Sequence, residues 1–384
     1  MTVLYGAIQF FFWFAYGTAV NFSSVYLLDC GLSNTAIGVI NAVACAVSVV
    51  LQPLVAAYAD REKSLSIRVI LLYMIGGLLG FAGLLILCYG RGAALNGGLL
   101  GCAVLLVQVA LPLVNALATE SINAGKNLRF SISRGFGSIG YAVMSFTVGR
   151  LTARYGAGAA PWVLLIAALC WLVSVAVFPF AKPRKAGKSA AEQKGEGPLA
   201  FFRRYPVLTV TLAGCVLIYT GHMLINSFVF QIVSDKGGTS EHMGIVMGLA
   251  GLLEVLTMFF FTALLRWRDH AFWFRISGIF FALKSLGTLL AGSMGALYTV
   301  QLLQPLGWGL MTVASVYYVN ARVSDQDKIK GQAYMTMTLS AGTIIGTLIG
   351  GWLIDHTGVS GMLLVAVIVG AVGEGIVLFG TRKR

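Results

Sequence analysis

The chain has 384 residues, of which 58% are hydrophobic and only 11% are charged. Its mean hydropathy is +0.85. A soluble domain needs about 25% charged residues to cover its surface, so this composition excludes a water-soluble globule and indicates an integral membrane protein. A membrane span takes about 20 apolar residues, and twelve such spans fit into the chain with short loops.

Other classes are excluded by the N-terminal segment, the cysteines and the charge. The first apolar run, residues 3–28, has neither a basic start nor a cleavage site, which predicts a retained span and not a signal peptide. The six cysteines are scattered without C-x-x-C spacing, so disulfides, metal ligands and cofactors are not expected. A net charge of +13 indicates nucleic-acid binding only where the basic residues form a patch on a soluble domain. Since the composition indicates a membrane protein, no nucleic-acid partner is expected.

Apolar stretches between polar residues predict the spans in chain order. They lie near residues 3–28, 35–59, 66–90, 96–120, 130–154, 160–181, 207–233, 242–265, 272–292, 296–320, 331–355 and 359–380. The predicted fold class is therefore an all-α membrane protein with twelve transmembrane helices.

Basic residues are distributed unevenly over the loops. With the N-terminus inside, only four of the 27 lie on the outer side, two lie inside spans, and the other 21 lie in inner segments. The four outer residues are Arg91, Arg150, Arg154 and Lys236. Because orientation follows Lys and Arg in short loops, we expect a multi-pass cell-membrane protein with both termini in the cytoplasm.

The longest polar segment, residues 182–206, divides the spans six and six. Its Lys, Gly and Ser content is typical of a flexible cytoplasmic linker, although a lipid-binding basic patch is an alternative. The predicted bundles are residues 1–181 and 207–384. The segments before spans 2 and 8 are similar, since each begins and ends with glycine and contains a serine, and this indicates an internal repeat. Parallel repeats form two bundles with a substrate site at mid-depth.

Glycines at helical spacing occur in the corresponding spans 5 and 11. They are Gly135, Gly137 and Gly140 in the first half, and Gly342, Gly346, Gly350 and Gly351 in the second. Small residues at such spacing allow helices to approach closely.

Several motifs resemble those of the major facilitator superfamily. The loop after span 2, residues 57–63, resembles the superfamily motif G-x-L-x-D-R-x-G-R-K, with its first glycine and last R-K degraded. The aromatic opening at residues 9–17, the segments 25–33 and 51–54, and the R-x-x-G-S-x-G sequence at 134–140 resemble the subgroup with lactose, nucleoside and phenylpropionate permeases. The resemblance implies two six-helix bundles and transport by alternating access.

The resemblance also implies candidate site residues. Arg134 matches an arginine that binds sugar together with a span-4 carboxylate, and either Glu120 or Asn115 stands in that carboxylate's place. Lys284 matches a span-9 arginine. The Lys-His-Glu cluster of span 10 is replaced by residues including Gln301 and Gln304, so a lactose-type proton relay and a galactoside substrate are not implied. Asp60 and Arg61 correspond to a cytoplasmic gate.

Ionisable residues at membrane mid-depth are functional candidates, because a charge there costs about 2.5–3.5 kcal/mol on insertion scales. Glu254 and Lys284 each lie near the middle of a predicted span, and they form either a proton- or substrate-sensitive pair or a static buried one. His222 in span 7 is a second coupling candidate or a packing residue. Glu374 in span 12 has no predicted partner and no assigned role.

Polar and aromatic residues at helical spacing suggest a substrate-binding surface. Gln301, Gln304 and Trp308 share one face of span 10, where they bind solute or join helices. In span 1, Tyr16 and Asn21 need polar partners and are expected to face a cavity. Arg134 lies one turn inside span 5 and could instead reach the cytoplasmic interface.

A helical membrane protein of this size could be a carrier, a membrane enzyme or a sensor. The four histidines lie on separate elements without H-E-x-x-H or G-x-S-x-G motifs, and there is no Walker A sequence, so neither an enzyme nor an ATP-driven pump is expected. A sensor would add a signalling domain. The prediction is a monomeric secondary transporter for a sugar, nucleoside or aromatic acid, driven by proton symport; proton-coupled drug or metabolite export is the alternative.

Overall fold

The structure, a computed structural model, describes residues 1–59, 65–179 and 197–381. Every regular element within these ranges is a helix, as expected for apolar segments that must satisfy their own backbone hydrogen bonds. The α-helices are α1 (Thr2–Val20), α2 (Ser23–Asp29), α3 (Asn34–Ala59), α4 (Ile67–Cys88), α5 (Ala93–Asn123), α6 (Phe130–Tyr155), α7 (Ala159–Val177), α8 (Pro198–Arg204), α9 (Pro206–Asn226), α10 (Val229–Asp235), α11 (Ser240–Leu264), α12 (His270–Leu290), α13 (Met294–Val300), α14 (Leu310–Arg322) and α15 (Lys328–Gly380).

Eight of the helical segments within the described ranges are long and apolar enough to cross a membrane. This confirms an all-helical membrane protein, whereas the number twelve stays a prediction. Predicted spans 5, 8 and 10 correspond to α6, α11 and the segment from α13 to α14, which are not among the eight. Predicted spans 11 and 12 lie together in α15, which is interrupted at Gly358 by a backbone φ of +73°.

Two predicted spans are broken into a long and a short helix. The first span ends as α1 and resumes as α2 after Asn21 and Phe22, and the seventh divides in the same way at Ser227 and Phe228. An asparagine, Asn21 or Asn226, stands at each break. The repeat therefore extends to local irregularities that apolar length alone cannot predict.

The chain forms two compact units, residues 1–187 with 237–251, and residues 188–236 with 252–384. In the first unit α1 packs on α6 and α7, and the fully buried Phe12 and Trp171 have ring centroids 5.2 Å apart. In the second unit α15 packs along α9 and α12, and Phe274 of α12 stacks on Tyr318 of α14 at 4.6 Å. The bundle limits 1–181 and 207–384 remain predictions.

The last part of the predicted linker is ordered against the second unit. Phe201 and Phe202 of α8 lie 4.8 and 4.7 Å from the ring of Tyr334, measured between centroids. Tyr205 Oη donates to Asp327 Oδ2 at 2.9 Å. The aromatic residues explain a short helix where composition predicted flexibility. The rest of the linker up to residue 196, together with the predicted gate residues Asp60 and Arg61, lies outside the described residues.

Candidate functional site

The first unit contains a chain of hydrogen-bonded side chains, buried or half-buried, along one face of α1. Tyr5, Gln9 and Trp13 follow each other at intervals of four residues, which places them on the same side of the helix. Gln9 is fully buried. Its Nε2 donates to Tyr5 Oη at 2.7 Å and to Asn115 Oδ1 of α5 at 3.4 Å, and its Oε1 accepts from Trp13 Nε1 at 3.1 Å. One amide thus links two helices.

Arg134 of α6 joins this chain through an aromatic ring. Its guanidinium carbon lies 4.4 Å from the centroid of the Trp13 indole, within the range of a cation–π contact. Gly137 makes room for the stack: a Cβ there would lie 2.5 Å from Trp13 Cδ1 and 3.1 Å from Arg134 Nη1. Arg134 is half-buried and packs against the indole, whereas the alternative that it reaches the cytoplasmic interface stays a prediction.

The two sequence candidates for the partner of Arg134 lie at different depths of α5. Asn115 contacts the α1 chain through Gln9, whereas Glu120 is half-buried in the last turn of the helix, five residues later. Of the span-1 candidates, Tyr16 packs against Trp13 with centroids 5.2 Å apart, and Asn21 Nδ2 donates to Tyr141 Oη at 2.7 Å.

The second unit contains an aromatic cluster around His222. The imidazole is buried and stacks on the Trp308 indole, with centroids 4.9 Å apart and planes inclined by 27°. Phe281 of α12 meets the imidazole edge to face at 5.0 Å, and the ring of Tyr219 lies 6.1 Å from Trp308. Together these rings form a wall of planar surfaces from three segments of the unit.

Polar and charged groups lie beside this wall. Lys284 is buried three residues after Phe281, and its Nζ donates to Gln304 Oε1. Glu254 of α11 is close enough to interact electrostatically with the Lys284 cation, and Lys284 likewise with His222. The structure therefore brings together Lys284, Gln304, His222 and Trp308.

A local change of helix type positions Gln304 and Trp308. Residues Gln301–Leu303 are 3₁₀-helical and Pro305–Gly309 form a π-helix, which is often found at functional sites. Thr257 Oγ1 of α11 donates to the Pro305 carbonyl at 2.8 Å and satisfies a backbone group of the irregular segment. Gln301 Nε2 donates to Leu297 O of α13 at 3.1 Å. Because the helix type changes between Gln301 and Trp308, the predicted residues Gln301, Gln304 and Trp308 do not share one regular α-helical face.

Sequence reasoning missed the central residues of both clusters. Gln9 belongs to the aromatic opening of span 1, and a lone amide with polar side chains four residues away on either side is a signal of a hydrogen-bonded cluster. Phe281 carries no such signal, because the sequence does not indicate which of the many apolar residues in its span contacts His222. Within the described ranges, no group of three or more His, Cys, Asp or Glu side chains could hold a metal ion. The two clusters therefore offer hydrogen bonding, stacking and charge.

Comparison with known proteins places these clusters in a transporter fold. The model of the MFS_1 like family matches residues 3–364. Among solved structures, the nucleoside transporter NupG has a TM-score of 0.82 at 14% identity, covering 100% of both chains. An auto-inhibited peptide transporter of the POT family has a TM-score of 0.73 at 11% identity, covering 100% of this chain and 96% of its own.

A bacterial homologue of the human lysosomal transporter Spinster has a TM-score of 0.66 at 12% identity, covering 99% of this chain and 96% of its own. Searching curated protein sequences gives no significant match. At these identities the structural neighbours show the fold, whereas the family match extends over nearly the whole chain. The superfamily resemblance is thus confirmed: the chain belongs to the MFS_1 like family, within the major facilitator superfamily of membrane transporters.

Proposed function

We propose that the protein is a secondary active transporter that moves a small polar organic solute, a sugar, nucleoside or aromatic acid, across the cytoplasmic membrane by alternating access and proton symport. Membership of the MFS_1 like family supports a transporter. The proposed topology has twelve spans in two bundles, with both termini in the cytoplasm and the monomer as the working unit. Asp60 and Arg61 form the proposed cytoplasmic gate.

One observation carries the substrate class: each unit combines a cation with an aromatic cluster that contains an indole. Arg134 stacks on Trp13 in the first unit. In the second, Lys284 interacts electrostatically with the His222 imidazole, which stacks on Trp308. Aromatic faces bind planar rings, and the neighbouring amides and cations bind hydroxyl or carboxylate oxygens. A solute with both a ring and several oxygens fits this combination.

Nucleosides are our first candidates within this class. The nucleoside transporter NupG shares the fold over the full length of both chains. Within the second cluster, a nucleobase would stack on an aromatic ring such as Trp308, and the ribose hydroxyls would exchange hydrogen bonds with the Gln304 amide. An aromatic acid would use Arg134 or Lys284 for its carboxylate instead.

The proposed proton coupling depends on Glu254, with His222 and Glu120 as alternatives. Glu254 interacts electrostatically with Lys284, which contacts Gln304, so a proton on Glu254 would change the charge balance of the second cluster. Binding of a proton and of solute would then favour the same state of the carrier.

A thermal-shift screen of the purified protein against nucleosides, sugars and aromatic acids tests the substrate class. A ligand at about 100 times its Kd stabilises the folded protein by about 2.7 kcal/mol, so a true substrate raises Tm as its concentration increases. We expect nucleosides to do so, and Lys284→Ala to reduce the shift more than Lys236→Ala does. Lack of any shift from all three classes would contradict the proposal.

Transport direction is tested with the ligand found. In proteoliposomes, symport predicts uptake when the outside is made acidic, whereas export by antiport predicts uptake when the inside is acidic. Uptake that is indifferent to either gradient would contradict proton coupling.

A further inference from the structure

Glu374 of α15 is a buried carboxyl group that neither cluster uses. Its side chain is 4% exposed, and neither carboxyl oxygen has a hydrogen-bond partner among the described residues. An ionised carboxylate without partners in apolar surroundings is very costly, and the group takes up a proton instead. The carboxyl is therefore far more stable here as a neutral acid than as an anion.

The position of Glu374 is shaped by a glycine on the facing helix. A Cβ at Gly278 of α12 would lie 1.6 Å from Glu374 Oε2 and 2.5 Å from its Cδ, so the carboxyl group occupies the space that this glycine leaves. On the α9 side, a Cβ at Gly214 would lie 2.8 Å from Gly373 O and 2.7 Å from Val377 Cγ2. The helices on both sides thus approach closely around the acid.

The positively charged groups on the helices packed against α15 contact other partners. On α14, Arg322 lies over the Tyr318 ring, 5.3 Å from its centroid. On α12, Arg275 Nη2 donates to Thr381 O at 2.5 Å, and Lys284 contacts Gln304. On α9, His222 stacks on Trp308, and the fully buried Cys215 thiol, which carries no positive charge, lies near Glu374. No described neighbour therefore supplies a positive charge that would stabilise an ionised Glu374.

From this arrangement we infer that Glu374 is a proton-binding site of the second unit, distinct from Glu254, and that it holds its proton at neutral pH. The ligand is a single proton taken from water, and the site consists of the Glu374 carboxyl in the space left by Gly278. Occupation of this site does not depend on the identity of the solute or on proton symport, so it can be tested without transport.

Infrared spectroscopy of the purified full-length protein in liposomes tests the inference. The C=O stretching band of a protonated carboxylic acid is separate from the bands of ionised carboxylates, and carboxyls in water are ionised at neutral pH. We expect this band in the wild type at neutral pH, its loss in Glu374→Gln, and its retention in Glu254→Gln. An identical band in wild type and Glu374→Gln, or its absence from the wild type, would overturn the inference.

A second variant tests the site without removing the acid and serves if Glu374→Gln fails to fold. Gly278→Ala forces the carboxyl out of its position and should shift the frequency of the band. Gly375→Ala, where an added Cβ meets no atom within 4 Å, is the matched control and should leave it unchanged. Equal spectra for both alanine variants and the wild type would contradict the proposed location.

Discussion

Single residues in this protein derive their properties from neighbours on other helices. Arg134 carries a full charge near the start of α6, and its guanidinium lies against the Trp13 ring, 4.4 Å from the centroid. A guanidinium is planar and weakly hydrated, so it can stack on an indole and still offer N–H donors at its edge. A lysine has the charge but not the planar fork.

Arg134→Lys should therefore weaken solute binding by about one to two orders of magnitude while leaving folding intact. The reason is the loss of a charge-assisted hydrogen bond worth about 1.5–3 kcal/mol. Titration calorimetry with the ligand from the thermal-shift screen measures the change. Arg150→Lys is the control, since Arg150 is exposed on the same helix. Equal affinities for the two variants would remove Arg134 from the binding site.

Gln9→Leu should lower the stability of the first unit. Leucine cannot accept from Trp13 Nε1 or donate to Asn115 Oδ1, and an unsatisfied buried polar group costs about 1–3 kcal/mol. The measurement is Tm in detergent, with Gln326→Leu at an exposed site as the control. A Tm equal to that of the control would show that the Gln9 hydrogen bonds contribute no net stability.

At the scale of elements, close helix contacts depend on which glycines face another helix. Gly140 of α6 meets the backbone of α1, where a Cβ would lie 2.4 Å from Phe10 O, whereas a Cβ at Gly135 of the same helix meets no atom within 4 Å. On α15, a Cβ at Gly342 would lie 2.6 Å from Tyr219 Cβ. Regular spacing identified the glycine-rich helices, and the contacts distinguish their glycines.

Gly140→Ala should destabilise the contact between α1 and α6 by about 1–3 kcal/mol, the usual cost of overpacking. Gly135→Ala should be neutral or slightly stabilising, because alanine favours a helix more than glycine does. Both effects are measured as changes of Tm in the same detergent. A loss of Tm in Gly135→Ala as large as that in Gly140→Ala would contradict the packing argument.

At the scale of the whole molecule, loop charge and apolar length govern insertion into the membrane. Buried charges govern the proposed transport. Within the described residues, eight helical segments are suited to cross a membrane. The excess of Lys and Arg in the predicted inner loops opposes their translocation. Orientation can therefore be tested without knowing the solute.

A tag inserted near Ala190 should be cytoplasmic, and one inserted near Gly237 should be external. The two positions lie in loops of opposite predicted side, with one predicted span between them. Labelling with a membrane-impermeant reagent in intact cells distinguishes them, and lysed cells give the control for reactivity. If intact cells label both tags or neither, the twelve-span topology is wrong.

Glu254→Gln should preserve downhill exchange of solute while abolishing uphill accumulation, since Glu254 is the proposed coupling group and a glutamine amide cannot take up the proton. Accumulation in proteoliposomes, with and without a protonophore, measures this effect. Glu241→Gln, an exposed carboxylate at the start of the same helix, is the control. Protonophore-sensitive accumulation that survives in Glu254→Gln would remove Glu254 as the coupling site.

Composition, apolar length and motif resemblance were sufficient to predict a helical transporter of the major facilitator superfamily. The physical reason is that lipid offers no hydrogen-bond partners to backbone N–H and C=O groups, so a long apolar segment must satisfy these groups within its own helix. The same reasoning could not predict the breaks at Asn21 and Ser227 or the π-helix at Pro305–Gly309.

Only the tertiary structure revealed which polar groups meet. Helix rotation and packing decide whether a side chain faces another helix, and residue spacing in the sequence determines neither of them. Packing brings Lys284 to Gln304 as well as near Glu254, connects Arg134 to Gln9 through an indole, and leaves Glu374 beside a glycine with no described hydrogen-bond partner. In an apolar interior, each of these contacts determines the charge of a side chain or the shape of a binding surface. The candidate site therefore depends on tertiary contacts, whereas the fold follows from composition.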